Sequence, residues 1–86
     1  MSTVPTMARM RARLTFPARL VQEPILYRLV KDFDILINIR RADVKAEWGW
    51  VMLEMEAQDA TLERGVKWLK EQGVQVDPIE RDVIVP

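Results

Sequence analysis

The apolar residues of this chain fall into six runs whose period switches in the order two, 3.6, two, two, 3.6, two. A period of two puts every second side chain on one face of a strand, and a period of 3.6 gathers a stripe along a helix. The chain therefore reads strand, helix, strand, strand, helix, strand. Few small architectures accommodate that order.

From Met7 onward, Met10, Ala12, Leu14 and Phe16 alternate with Arg9, Arg11, Arg13 and Thr15, a half-buried strand that ends before Pro17. Glu23 and Pro24 open a helix, because an acid suits the positive end of the dipole and proline lacks only an N–H that would be unpaired there. Leu26, Leu29, Val30 and Phe33 make its buried stripe, with Ile25 beside them. Ile35, Ile37 and Ile39 then alternate with Leu36, Asn38 and Arg40, after which the apolar parity moves to Ala42, Val44 and Ala46. That shift across Arg40-Arg41 predicts a β-bulge in a long strand. A turn near Glu47-Trp48-Gly49 leads to a third strand, with Val51, Leu53, Met55 and Ala57 on one face and Trp50, Met52, Glu54 and Glu56 on the other. So short a link predicts a hairpin.

Asp59 is the expected N-cap of the second helix and Gly73 its left-handed end. Leu62, Val66 and Leu69 mark the buried face, Gly65 is expected to let the helix approach the sheet, and Trp68 lies on the flank as a partial core residue. The last strand, Val74 to Ile79 or beyond, contains Pro78, which cannot donate to a ladder and so assigns the strand to a sheet edge. With right-handed crossovers the order gives a four-stranded antiparallel sheet, 4-1-3-2, with both helices on one face: an α+β, ferredoxin-like fold. Residues 1–6 read as a disordered leader, 7–82 as the domain and 83–86 as a tail.

The chain has 86 residues, no His and no Cys. The missing Cys excludes disulfides, thiolate zinc sites and a Cys nucleophile, and the missing His removes the commonest metal ligand and general base. Three glycines, at 49, 65 and 73, cannot write a Gly-rich phosphate loop. A binding protein with no metal or cofactor is expected, not an enzyme. No run approaches the roughly 18 apolar residues of a membrane span, so a cytoplasmic location is expected. A domain this small buries only about 60 to 65% of its unfolded surface, so any ligand site should be shallow or shared between subunits.

Thirteen basic and thirteen acidic residues cancel, but unevenly: residues 1–41 hold eight basic and three acidic groups, and residues 42–86 hold five and ten. In the expected order the first and third strands are neighbours, so Arg9, Arg11 and Arg13 lie across from Glu56, Glu54 and Met52 on the helix-free face, to within a residue or two of register. Exposed pairs of this kind contribute about 0.2–1 kcal/mol each and act mainly on register. The same pairing weighs against RNA binding: Trp50 could stack a base, but Glu54 and Glu56 would repel phosphate and the aromatic RNA-recognition signature is missing.

The stretch Phe33-Asp34-Ile35-Leu36-Ile37-Asn38-Ile39-Arg40-Arg41-Ala42, preceded by Leu14-Thr15-Phe16-Pro17 and Glu23-Pro24-Ile25-Leu26, resembles the NIL domain, named for an Asn-Ile-Leu tripeptide in its second strand. Gly49 to Met55 and Trp68 to Val76 extend the likeness to about residues 8–80. The resemblance implies a domain of the kind found at the C-terminus of methionine-importing ABC transporter ATPases, fused to iron–sulfur ferredoxins, or standing alone, and this chain looks like the last. It implies methionine binding at or near the interface of paired domains, with Asn38 in the ligand role and Ile39 and Arg40 beside it. Here the tripeptide ends in Arg40 where the family has Leu. That guanidinium could rim the site and meet an amino-acid carboxylate, or it could face solvent.

The second strand is an edge in this order, and Leu36, Trp48, Trp50 and Met52 gather on or beside the helix-free face, so a homodimer interface is expected there. The expectation is a small NIL-domain regulator of methionine or a related sulfur metabolite. A protein-interaction adaptor using the open sheet on a partner supplied in trans is the alternative, with RNA binding a third reading.

Overall fold

A computed structural model describes residues 6–84; the expected leader, up to residue 5, and the last two residues of the expected tail lie outside them. The elements run β1 Met7–Pro17, α1 Ala18–Val21, α2 Ile25–Phe33, β2 Leu36–Val44, β3 Trp48–Gln58, α3 Asp59–Gln72 and β4 Gln75–Ile84. The strands form one antiparallel sheet in the order β2-β3-β1-β4, the expected order read from its other edge.

β1 and β3 alternate buried residues with half-buried or exposed ones along their whole length, because the helices lie over one face of these central strands. Leu14, Leu53, Met55, Leu29, Leu62 and Leu69 are all fully buried between the layers. Full burial of one such side chain stabilises by roughly 1.5–3 kcal/mol, so this layer is the main source of stability. Trp68 sits at its border against Phe33, the ring centroids 5.5 Å apart and tilted by 49°.

Gly73, at φ 101°, ends α3 in the left-handed region, with its N–H and that of Val74 closing onto the last turn. Asp34 ends α2 in the same region at φ 56°, a conformation that Asp tolerates better than most residues. Asp59 corrects an expectation: it is the first helical residue rather than the N-cap, and its carboxylate bonds to Arg81 of β4 instead of the helix's own amides. Gly65 also differs. A Cβ there would lie 2.6 Å from Ile35 Cδ1 and 3.2 Å from Leu29 Cδ1, so the glycine admits α2 and its exit rather than the sheet.

The short helix α1 was not expected, since four residues are too few for a stripe to repeat. It buries Leu20, and Arg19 Nη2 donates to the Gln72 carbonyl at 2.9 Å, placing a cation at the negative end of α3. Both edge strands carry an irregularity, the one in β2 expected and the one in β4 not. β4 has a register shift at Ile79, directly after Pro78, and β2 has one at Arg40, where the apolar parity changes. No helix among the described residues is long and apolar enough to cross a membrane.

Candidate functional site

The helix-free face is built of cross-strand rows, each running from β2 through β3 and β1 to β4. One row is Leu36, Glu56, Arg9 and Asp82; the next is Asn38, Glu54, Arg11 and Glu80; then come Arg41, Met52, Arg13 and Asp77, and finally Asp43, Trp50, Thr15 and Gln75. The arginines of β1 thus face Glu56, Glu54 and Met52 in the expected register. A basic central strand lies between two acidic ones.

Glu54 is the hub of this face. Its side chain is only 13% exposed, and three guanidiniums converge on it: Arg11 Nη2 at 3.5 Å, Arg9 Nε at 3.9 Å and Arg40, whose Nε donates at 2.6 Å and whose Nη2 donates to the same oxygen. The hydrogen bond from Arg40 holds the Glu54 carboxyl below the ordinary carboxylate range; desolvation opposes this, and the charges of Arg40 and Arg11 reinforce it. Among the described residues Glu56 has a single arginine, Arg9 at 3.6 Å. The edge strand β2 supplies Arg40 because its bulge inserts this extra residue between the Ile39–Leu53 and Arg41–Met52 pairs.

The structure brings part of the expected site together. Leu36, Asn38 and Arg40 line one shallow depression of about 390 Å³ with Arg9, Glu54 and Glu56. Asn38 is exposed there, directly across from Glu54. Ile39 is not with them: strand alternation turns it to the helix side, where it pairs with Leu53 yet stays 53% exposed. Trp48, Trp50 and Met52 lie toward the hairpin end. There Arg13 covers the Trp50 ring at 4.6 Å from its centroid and Lys45 the Trp48 ring at 5.1 Å. Arg40 matches neither sequence alternative fully, since it stands on the rim of the depression with its guanidinium already engaged by Glu54.

Sequence reasoning treated Arg9, Glu54 and Glu56 as register partners and missed them as walls of the depression. Counting back from the hairpin turn would have set Glu54 opposite Asn38, once the extra residue of the bulge was subtracted. A second feature was missed altogether. Ile39 and Val44 stay exposed on the helix side of β2, as do Tyr27 and Val30 of α2, Val30 against the expectation that it belongs to the buried stripe, and an apolar cleft of about 210 Å³ opens among Phe16, Leu20, Ile25, Leu26, Val44 and Val51.

Comparison with known proteins follows this geometry. The family model described as NIL domain matches residues 10–78. The methionine import ATP-binding protein MetN 2 of Acinetobacter baylyi is 32% identical over 69 residues, covering 76% of this chain and 20% of that protein. The methionine import ATP-binding protein MetN of Helicobacter hepaticus is 28% identical over 60 residues, 65% of this chain and 17% of that protein. The chain thus spans about a fifth of the length of these curated relatives. Among solved structures, the C-terminal domain of an ABC transporter ATP-binding protein from Enterococcus faecalis superposes with a TM-score of 0.71 at 16% identity, covering 81% of this chain and 82% of that one. At that identity the likeness is one of fold.

Proposed function

The chain belongs to the NIL domain family, and from that premise we propose that it is a cytoplasmic regulatory binding domain, not an enzyme, which takes methionine or a related sulfur metabolite at the Asn38 depression. The observation that carries this reading is the depression itself, where an exposed amide, an exposed leucine and paired charges meet beside an uncovered sheet edge. The curated relatives named for methionine import supply the ligand class. A site this shallow buries little of a small ligand, whereas a second copy against β2 would add the missing wall. The reading therefore includes a homodimer.

Titration calorimetry with methionine, homocysteine and S-adenosylmethionine, run beside sedimentation equilibrium, tests it. The expected result is a dimer that binds one of these compounds and loses about tenfold or more in affinity on Asn38→Ala, the scale of a lost hydrogen bond to a charged ligand group. No heat at millimolar ligand from parent or variant would overturn it. A protein-interaction module without a small ligand is the second reading, favoured by the exposed Tyr27, Val30, Ile39 and Val44. It predicts blank titrations together with capture of a partner that Ile39→Glu abolishes.

A further inference from the structure

We infer that the depression selects a free α-amino acid by both charged poles, with Arg40 taking the carboxylate, Glu56 the ammonium and Leu36 lying under the side chain. This rests on the reading above and names the contacts that it leaves open. The lining holds two guanidiniums, Arg9 and Arg40, and two carboxylates, Glu54 and Glu56. A ligand of one sign would desolvate the opposite group without compensating it, and a dianion would meet two carboxylates at close range. A zwitterion satisfies both signs.

Arg40 is the exchangeable cation. It stands on the free edge with its side chain 51% exposed, whereas Glu54 keeps Arg11 at 3.5 Å and Arg9 at 3.9 Å when Arg40 turns away. The exchange therefore leaves no shielded carboxylate without a partner, which is the usual cost of breaking such a pair. The guanidinium fork that now engages Glu54 through Nε and Nη2 matches a ligand carboxylate equally well. Among the described residues Glu56 holds only Arg9, at 3.6 Å, and its side chain is 34% exposed, so it has room for an ammonium donor. The two poles are within one ligand's reach. Neighbouring rows lie about 7 Å apart, and the bond from Arg40 to Glu54 already draws its guanidinium into the Asn38 row, next to that of Glu56. The exposed Leu36 lies directly across from Glu56 and gives the side chain an apolar floor.

The test is calorimetric titration of parent, Arg40→Gln and Glu56→Gln with L-methionine, L-leucine, L-methioninamide and N-acetyl-L-methionine. Blocking either pole of methionine should weaken binding to the parent by about tenfold or more, the scale of a charge-assisted bond. Arg40→Gln should bring methionine down to the level of its amide while leaving the amide itself unchanged. Glu56→Gln should act in the same way on methionine and its N-acetyl form. If the blocked forms bind as tightly as the free amino acid, or Arg40→Gln binds methionine undiminished, pole recognition is overturned and a methionine site can still stand. If leucine binds as well as methionine and both variants discriminate as expected, the inference holds and the sulfur-metabolite reading falls. Absence of heat from both free amino acids overturns both.

Discussion

The sheet has two edges, and the protein closes only one of them. β4 carries Pro78 and a bulge, and Arg81 ties it to Asp59 and Glu63 of α3. β2 has a bulge too, but no proline, and its residues are exposed on both faces except for the half-buried Ile37. An unprotected edge invites pairing with another chain, and proteins that have no use for one usually block it. The contrast is the one that the proposed pairing of a second copy against β2 requires. The β2 bulge is also what brings Arg40 to the depression.

The largest expected effect compares two residues that face each other across the sheet. Ile39 and Leu53 are cross-strand partners, yet Leu53 is fully buried and Ile39 is 53% exposed. Leu53→Ala should cost about 2–5 kcal/mol, because it leaves a cavity that the layers cannot close, and Ile39→Ala less than about 1 kcal/mol at protein concentrations low enough to keep the chain monomeric. Urea unfolding of the two variants measures both. Equal losses would mean that β2 is covered in solution, as a stable dimer would cover it, and concentration dependence of the Ile39 result would separate that outcome from a misplaced strand.

Much of this was legible beforehand. Period-two alternation fixed the faces of β1 and β3, the strand order set the β1 arginines across from Glu56, Glu54 and Met52 to within a residue or two, and the parity change announced the β2 bulge. What stayed hidden depended on tertiary neighbours. Nothing in the spacing of Ile35, Ile37 and Ile39 says that α2 and α3 leave the end of that series uncovered. Ile35 is 1% exposed and Ile39 53%, although the two read alike in sequence. Glu54 looked like one of two equivalent acids on β3, and only the extra residue at Arg40 gave it a third arginine. Ile39 was grouped with Asn38 because the tripeptide is contiguous, while strand alternation sends neighbours to opposite faces.

The glycines give a smaller test of the same contrast. At Gly65 an added methyl would press on buried Ile35 and Leu29 within the covered layer. Gly65→Ala should therefore cost about 1–2 kcal/mol even though alanine is the better helix former. At Gly49 the nearest neighbour is Val44, at 3.3 Å, on the free edge. Gly49→Ala should stay within about 0.5 kcal/mol of the parent, since β2 can shift to admit it. Thermal or chemical unfolding decides, and a reversed order would show that the β2 edge is as rigid as the core.

The smallest expected effect concerns pH and tests whether Arg40 engages Glu54 in solution. The Arg40 hydrogen bond lowers the folded-state pKa of Glu54. A depressed carboxylate pKa contributes stability that is fully present above the unfolded value, about 4.3 for glutamate, and is lost as pH falls through the folded value. Glu54→Gln should thus melt below the parent near neutral pH, and the gap should close as the pH drops below about 4. Removing only the edge partner, by Arg40→Gln, should shrink the acid-dependent gap without abolishing it, because Arg11 and Arg9 remain on the carboxylate. If Arg40→Gln leaves the acid dependence of the melting curve unchanged, Arg40 is already free of Glu54 in solution, and the edge strand holds its guanidinium open to a ligand without any exchange.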